Sequence, residues 1–131
     1  MKRILIIDDD FHVRDMLERL LRKAGYDAQL AENGVEAVKM HRENPMDLVI
    51  TDIIMPEKEG LEFITEFRRD YPSVKLIAIS GGGRIGPANY LKMAKLLGAE
   101  RTFAKPVDTS QLLSAIEELL ARTGKEQSVI K

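Results

Sequence analysis

Short apolar runs recur along this 131-residue chain, and a longer segment with apolar residues at helical spacing follows each of them. The runs cover residues 4–7, 28–31, 48–50 and 76–79, with a weaker one around Phe103. Strands that are apolar on both sides and separated by amphipathic helices are typical of a parallel sheet covered on both faces. We therefore predict an α/β fold, a doubly wound sheet of five parallel strands with five helices.

Capping residues mark where the helices begin and end. Asn33 with Glu36, and Asp108 with Gln111, have the spacing of a helix N-terminal capping box, and Gly25 and Gly98 suit helix ends. The predicted helices cover residues 13–24, 33–44, 58–69, 87–97 and 109–122. The remaining residues 123–131 are polar, which predicts a frayed C-terminal tail after one domain spanning residues 1–122.

Composition excludes several classes of function. Twenty basic and 21 acidic residues give a net charge of −1, so the chain has no field that would collect nucleic acid or an anionic membrane surface. The sequence contains no cysteine, which removes disulfides and thiolate metal sites and favours a cytoplasmic location. No apolar run approaches the roughly 20 residues of a membrane span.

Polar side chains gather where the predicted strands end. Asp8, Asp9 and Asp10 follow the first strand, while Asp52, Ser80 and Lys105 follow the third, fourth and fifth. Parallel strands bring their carboxyl ends to one edge of the sheet, where open α/β folds build their sites. Converging carboxylates repel each other, and a divalent cation relieves this repulsion.

Oxygen ligands of this kind suit Mg²⁺, which takes one or two carboxylates and keeps several waters. Beside such a cation, an ionised Asp can attack phosphorus, while a Lys ammonium neutralises charge on the phosphoryl oxygens. A Ser hydroxyl can donate a hydrogen bond to another of those oxygens. The residues predict phosphoryl transfer to an aspartate.

Four motifs occur in order along the chain: residues 4–10 (ILIIDDD), residues 52–56 (DIIMP) with Gly60 downstream, Ser80, and Lys105 followed by Pro106. Together they resemble the receiver domains of two-component response regulators over about residues 2–122. The resemblance implies a flavodoxin-like strand order of 2-1-3-4-5. It also implies a Mg²⁺-dependent switch, phosphorylated by a histidine kinase or phosphotransfer protein and read by a downstream protein.

The resemblance assigns roles to individual residues. Asp52 would be the phosphoacceptor and a Mg²⁺ ligand, Asp9 would bind Mg²⁺ directly, and Asp8 would do so mainly through water. The main-chain carbonyl of Ile54 would be a further Mg²⁺ ligand. Ser80 would hold the phosphoryl group, and Lys105 would pair with Asp52 and then with the phosphate. The resemblance also implies a cis peptide bond between Lys105 and Pro106, which is the kind of bond that adopts cis at low cost.

Two features depart from the family pattern. Thr102 occupies the position, three residues before the Lys, where the family usually has an aromatic residue that changes rotamer on activation. Phe103, one position later, should point to the opposite side of its strand. Residues 81–83 are three glycines, which give the loop after the fourth strand much backbone freedom. We therefore expect the signal to be read through this loop and Ser80.

The family's usual interaction surface is formed by helix four, strand five and helix five, and a homodimer would use the same surface. The chain would not be an enzyme with a separate substrate. One alternative is a small haloacid-dehalogenase-like, Mg²⁺-dependent phosphatase that uses Asp8 and Asp10. Another is a receiver that serves only as a protein-binding scaffold. The sequence does not separate a complete regulator from a fragment of a longer one.

Other motifs have simpler interpretations. Asp10 suits the N-cap of the first helix. Gly81, Gly83 and Gly86 match the spacing of a dinucleotide-binding loop, but no acid follows at the end of the next strand, which argues against nucleotide binding. His12 and His41 are expected to be solvated surface residues.

Overall fold

The computed structural model of the chain describes residues 1–53, 60–81, 92–95 and 97–129. Its strands are β1 (Arg3–Ile7), β2 (Asp27–Ala31), β3 (Leu48–Asp52), β4 (Lys75–Ser80) and β5 (Arg101–Ala104). They form one five-stranded parallel sheet in the order β2-β1-β3-β4-β5. The predicted fold class and strand order are confirmed.

The helices follow the strands in alternation. They are α1 (Phe11–Lys23), α2 (Gly34–Glu43), α3 (Gly60–Asp70), a helical segment at residues 92–95 that we label α4, and α5 (Thr109–Val129). The sequence predicted that the third helix begins near Lys58 and the fourth near Pro87. Both starting points lie outside the described residues.

The sheet separates two hydrophobic cores, because successive strand residues point to opposite faces. Leu5 and Ile7 of β1 pack with α2 and α3, whereas Ile4 and Ile6 pack with α1 and α5. All four side chains are fully buried. Burial on both faces explains why the strand runs are almost entirely apolar.

The predicted caps are confirmed. The Asp10 carboxylate accepts the His12 N–H at 2.8 Å, the Asn33 side chain accepts the Glu36 N–H at 2.9 Å, and Asp108 accepts the Gln111 N–H at 3.1 Å. Gly25 and Gly98, at the ends of α1 and α4, have φ angles of +96° and +130°, a region that only glycine adopts easily.

The C-terminal helix differs from the prediction. We expected α5 to end near Arg122, but its backbone is helical to Val129. Thr123 and Gly124 are only weak helix breakers, and the Lys, Glu and Gln that follow are good helix formers. Among the helices that the structure describes, none has both the length and the apolar character needed to cross a bilayer.

Candidate functional site

Three carboxylates meet at the carboxyl edge of the sheet. Ile7 of β1 lies opposite Thr51 of β3, so the next residues, Asp8 and Asp52, emerge side by side. Asp8, Asp9 and Asp52 each offer a carboxylate oxygen, and these three oxygens lie within 4.8 Å of one another. Asp8 and Asp52 are buried, and Asp9 is exposed. The cluster consists of hard oxygen donors with one side open to solvent, which fits Mg²⁺.

Lys105 joins two of these carboxylates from the end of β5. Its Nζ lies 3.1 Å from Asp8 Oδ2 and 3.2 Å from Asp52 Oδ2. Burial alone would lower the pKa of Lys105, but the charges of Asp52 and Asp8 outweigh it, and the pKa is raised. The ammonium is therefore charged at neutral pH and offsets part of the negative charge of the cluster.

The environment of Asp8 changes its acidity. Its pKa is raised, mainly because burial penalises the charged form and also because Asp52 repels it. The Asp10 N–H, which donates to Asp8 Oδ1 at 2.9 Å, and the Lys105 ammonium act in the opposite direction. A cation beside Asp8 would favour the ionised form further.

Ser80 ends β4 at the same edge. It is fully buried, and its Oγ has no hydrogen-bond partner among the described residues. A buried hydroxyl without a partner is uncommon and costs free energy, so Ser80 Oγ is available to a group that enters the site. The Ser80 carbonyl accepts the Lys105 N–H at 2.9 Å, and the predicted cis bond between Lys105 and Pro106 is confirmed.

Two glycines let the backbone close around the site. A Cβ on Gly81 would come within 2.3 Å of the Lys105 Cβ, and one on Gly60 would come within 2.5 Å of the Asp52 carbonyl oxygen. Neither position can hold a larger residue without displacement of its neighbours. The first glycine of the loop after β4, Gly81, therefore has a steric reason as well as a conformational one.

Several sequence predictions fall outside the described residues. They are the Ile54 carbonyl ligand, Gly82 and Gly83 of the glycine loop, and Gly86 of the possible dinucleotide motif. The prediction for β5 can be followed in the structure. Phe103 packs against the core formed with α1 and α5, so Thr102, its neighbour along the strand, faces the other side of the sheet.

The prediction that His41 is a solvated surface residue is wrong. Only 6% of its surface is exposed, and its Nδ1 accepts the Met46 N–H at 3.0 Å. The ring makes edge contacts with Phe67 of α3 and with Tyr71, the residue that follows the end of α3. These aromatic partners lie far away in sequence, so the polar residues around His41 gave no sign of its burial. His12, in contrast, is exposed.

Two residues at the site escaped the sequence analysis. The Thr51 Oγ1 donates to the Asp52 carbonyl at 2.9 Å, and the Arg14 Nη1 donates to the Asp8 carbonyl at 2.6 Å. Both contacts involve main-chain oxygens, which side-chain motifs do not reveal. A Thr directly before Asp52 was the only available signal for the first contact, and an Arg one turn into α1 for the second.

Comparisons with known proteins agree with this geometry. The family model described as the response regulator receiver domain matches residues 4–117. The chemotaxis protein CheY of Thermotoga maritima is 37% identical over 119 residues, which cover 90% of this chain and 97% of that protein. The response regulator MprA of a Mycobacterium species is 32% identical over 95% of this chain, but the chain spans only 53% of MprA.

A solved structure shows the same fold. The CheY-like receiver domain protein of Methanospirillum hungatei superposes with a TM-score of 0.84 at 31% identity, covering 96% of this chain and 98% of that one. The family model, the relatives and the fold lead to one conclusion. The chain belongs to the family of response regulator receiver domains of two-component signal transduction.

Proposed function

We propose that this receiver domain is a phosphorylation-dependent switch in which Asp52 accepts a phosphoryl group from a histidine kinase or a phosphotransfer protein. The observation that carries the proposal is the meeting of Asp8, Asp9, Asp52 and Lys105 at one edge of the sheet. A carboxylate nucleophile, a cation site and an ammonium group are what phosphoryl transfer to an aspartate requires.

We assign the Mg²⁺ site to the carboxylates of Asp8, Asp9 and Asp52, with the carbonyl of Ile54 as a further ligand. The donor set supports this assignment, since its members are oxygens and three of them already lie close together. When bound, Mg²⁺ would neutralise part of the charge on the carboxylates and on the phosphoryl oxygens.

In the transfer, a carboxylate oxygen of Asp52 would form a bond to phosphorus as the bond between phosphorus and the donor atom breaks. Lys105, which already contacts Asp52, is placed to pair with a phosphoryl oxygen afterwards. Ser80 would donate its hydroxyl to a second phosphoryl oxygen, and the lack of any other described partner for Ser80 Oγ supports this role. The burial of Asp52 limits access of water to the new acyl phosphate.

We propose that output depends on the loop after β4 and on Ser80, and not on an aromatic rotamer. Thr102 stands at the usual aromatic position, and Phe103 packs on the opposite face of the sheet. The surface of α4, β5 and α5 would then contact a downstream protein or a second copy of the chain. We assign residues 1–122 to the receiver unit, 123–131 to a tail, and the whole switch to the cytoplasm.

The structure does not favour the phosphatase alternative. That mechanism would use Asp10 together with Asp8, but the Asp10 carboxylate caps α1 through the His12 N–H. The proposed chemistry is limited to phosphorylation of Asp52 and its reversal by hydrolysis, with no separate substrate.

Incubation with Mg²⁺ and acetyl phosphate tests the proposal by intact-protein mass. The wild-type chain should gain about 80 Da, the mass of one phosphoryl group, and the Asp52→Asn variant should gain nothing. Asp10→Asn is the matched control, because it neutralises a neighbouring acid that we assign to helix capping, and it should still be labelled. Equal labelling of Asp52→Asn and wild type would show that Asp52 is not the acceptor. Turnover of a phosphomonoester such as p-nitrophenyl phosphate would favour the phosphatase.

A further inference from the structure

Arg14 of α1 reaches back to the end of β1. Its side chain is only 13% exposed, and its Nη1 donates to the main-chain carbonyl of Asp8 at 2.6 Å. The short contact is a charge-assisted hydrogen bond, which is stronger than one between neutral groups. The long, charged side chain of Arg14 is thus largely buried, and it donates to the Asp8 carbonyl.

The remaining polar groups of Asp8 are also held. Its N–H donates to the Ala31 carbonyl at 3.3 Å, its Oδ1 accepts the Asp10 N–H at 2.9 Å, and its Oδ2 accepts from Lys105 at 3.1 Å. Because Arg14 donates to the carbonyl, the N–H, the carbonyl and both carboxylate oxygens of Asp8 all have a hydrogen-bond partner. Asp8 therefore has little freedom to reorient.

Two neighbouring side chains lie near the Arg14 guanidinium. Its Nη2 lies 3.9 Å from Glu32 Oε1, and its guanidinium carbon lies 6.0 Å from the centre of the Phe11 ring. Glu32 follows β2, and its N–H donates to Glu36 Oε1 at 2.9 Å. The guanidinium thus connects α1 with the ends of β1 and β2.

The orientation of the Asp8 carbonyl affects where the Asp9 carboxylate lies in the acidic cluster. A peptide group is planar, so fixing the carbonyl oxygen of Asp8 also fixes the N–H and Cα of Asp9 in the same plane. If this plane rotated, the Asp9 side chain would turn away from Asp8 and Asp52. Asp8 and Asp9, two of the three residues whose carboxylates we assign to the cation, therefore share one peptide group, and Arg14 contacts its carbonyl oxygen.

We propose that Arg14 is a positioning residue that orients the Asp8–Asp9 peptide group so that both carboxylates face the cation. This inference rests on the proposed function, because it concerns the Mg²⁺ site of the same switch. Arginine suits the task because its planar fork can donate to the Asp8 carbonyl and face Glu32 at the same time, whereas a lysine ammonium is a single point charge.

Titration with MgCl₂ alone, followed by amide NMR shifts of residues 8–10, tests this role without phosphorylation. We expect Arg14→Met to need about ten-fold more Mg²⁺ for half-saturation, in the range seen for outer-shell partners of metal ligands. Arg14→Lys should fall between Arg14→Met and wild type. Acetyl phosphate labelling of Arg14→Met should show the same shift in Mg²⁺ dependence but recover at saturating Mg²⁺.

Arg22→Met is the matched control. Arg22 also lies on α1, and its Nη2 donates to a main-chain carbonyl, that of Ala28, at 3.0 Å, but at the opposite end of the helix. It should lose some thermal stability in EDTA, because that contact is lost, and keep the wild-type Mg²⁺ affinity. A purely structural role for Arg14 would lower thermal stability without changing Mg²⁺ half-saturation.

A Mg²⁺ half-saturation within two-fold of wild type in Arg14→Met would overturn the inference while leaving the proposed function intact. If Arg14→Met does not fold, Arg14→Gln, whose shorter and neutral side chain lacks the guanidinium donor, decides by the same criterion. Failure of wild type itself to respond to Mg²⁺ and to be labelled would instead refute the proposed function. The two failures are therefore distinguishable.

Discussion

Two hydrogen bonds fix the main chain that leads out of Asp52, the proposed phosphoacceptor. The Asp52 carbonyl accepts the Thr51 hydroxyl at 2.9 Å, and the Gly60 N–H donates to the Ile53 carbonyl at 2.9 Å. Gly60 opens α3 directly against this backbone. The position of Asp52 thus depends on close contact between Gly60 of α3 and the end of β3.

Gly60→Ala should therefore destabilise the protein and impair labelling of Asp52. The added Cβ would come within 2.3 Å of the Ile53 Cα and 2.5 Å of the Asp52 carbonyl oxygen, and backbone atoms cannot rotate out of the way. We expect the free energy of unfolding, measured in urea, to fall by about 2 kcal/mol, as for other overpacked sites.

Gly34→Ala is the control for this prediction. Gly34 also opens a helix, but its new Cβ would meet a ring carbon of the Phe63 side chain at 2.9 Å. A ring can shift by a few tenths of an ångström, so this variant should lose less stability and keep wild-type labelling. Equal losses of stability and labelling in the two variants would show that the contact of Gly60 with the Asp52 carbonyl has no particular effect.

At the scale of elements, Arg68 connects α3 to the amino edge of the sheet, opposite the edge that carries the carboxylate cluster. Arg68 donates to the carbonyls of Pro72, Val74 and Gly98 at 2.7, 2.8 and 2.9 Å, and to the Glu100 carboxylate at 2.7 Å. These partners lie in the connections that lead into β4 and β5. These contacts, which we call the Arg68 brace, therefore align the starts of the two strands whose ends carry Ser80 and Lys105.

Arg68→Met should lower the free energy of unfolding by about 2 kcal/mol, because several carbonyls and the Glu100 carboxylate lose a charged donor at a partly buried site. Thermal or urea unfolding measures the loss. At temperatures well below unfolding, labelling of Asp52 should stay at the wild-type level, since the brace lies at the other edge of the sheet.

Arg69→Met is the matched control, since Arg69 is the next residue of the same helix. Its guanidinium pairs with the adjacent Asp70 at 3.0 Å, and both side chains are largely exposed. Surface pairs of this kind contribute little to stability. If Arg69→Met were as destabilising as Arg68→Met, general loss of a helix charge would explain the effect and the brace would not.

At the scale of the whole molecule, the sequence alone was sufficient to predict the sheet and the placement of the acids at its carboxyl edge. The strand runs are apolar on both sides and the acids directly follow them, so local pattern and right-handed crossovers are enough. Arg14, Glu100 and His41 were not predictable in this way. Each acts through a partner brought close only by folding, such as the Phe67 and Tyr71 rings around His41.

His41 makes the stability of the whole chain depend on pH. Burial lowers its pKa from the usual 6.5, and the neutral ring accepts the Met46 N–H through Nδ1. Below about pH 6.5 the unfolded chain binds a proton that the folded chain still excludes, so stability falls as pH falls. This contribution is fully present above pH 6.5 and is lost towards the lowered pKa of the folded state.

We expect the urea midpoint of wild type to drop between pH 7.5 and pH 5.5 by more than that of His41→Asn. Asn can still accept the Met46 N–H at the place of Nδ1 but does not titrate, so this variant is less stable at pH 7.5 and less sensitive to acid. The difference in slope can reach at most one proton, about 1.4 kcal/mol per pH unit. Carboxylates such as Asp8 titrate in both proteins and cancel in the comparison.

His12→Asn is the control. His12 is the other histidine of the chain and is exposed near the N-terminus of α1. The variant should keep the wild-type pH dependence, because it leaves the contacts of the buried His41 ring with Met46, Phe67 and Tyr71 unchanged. Parallel pH profiles for wild type and His41→Asn would mean that the ring takes up its proton without leaving its place. In that case the contact between α2 and α3 would not be sensitive to acid.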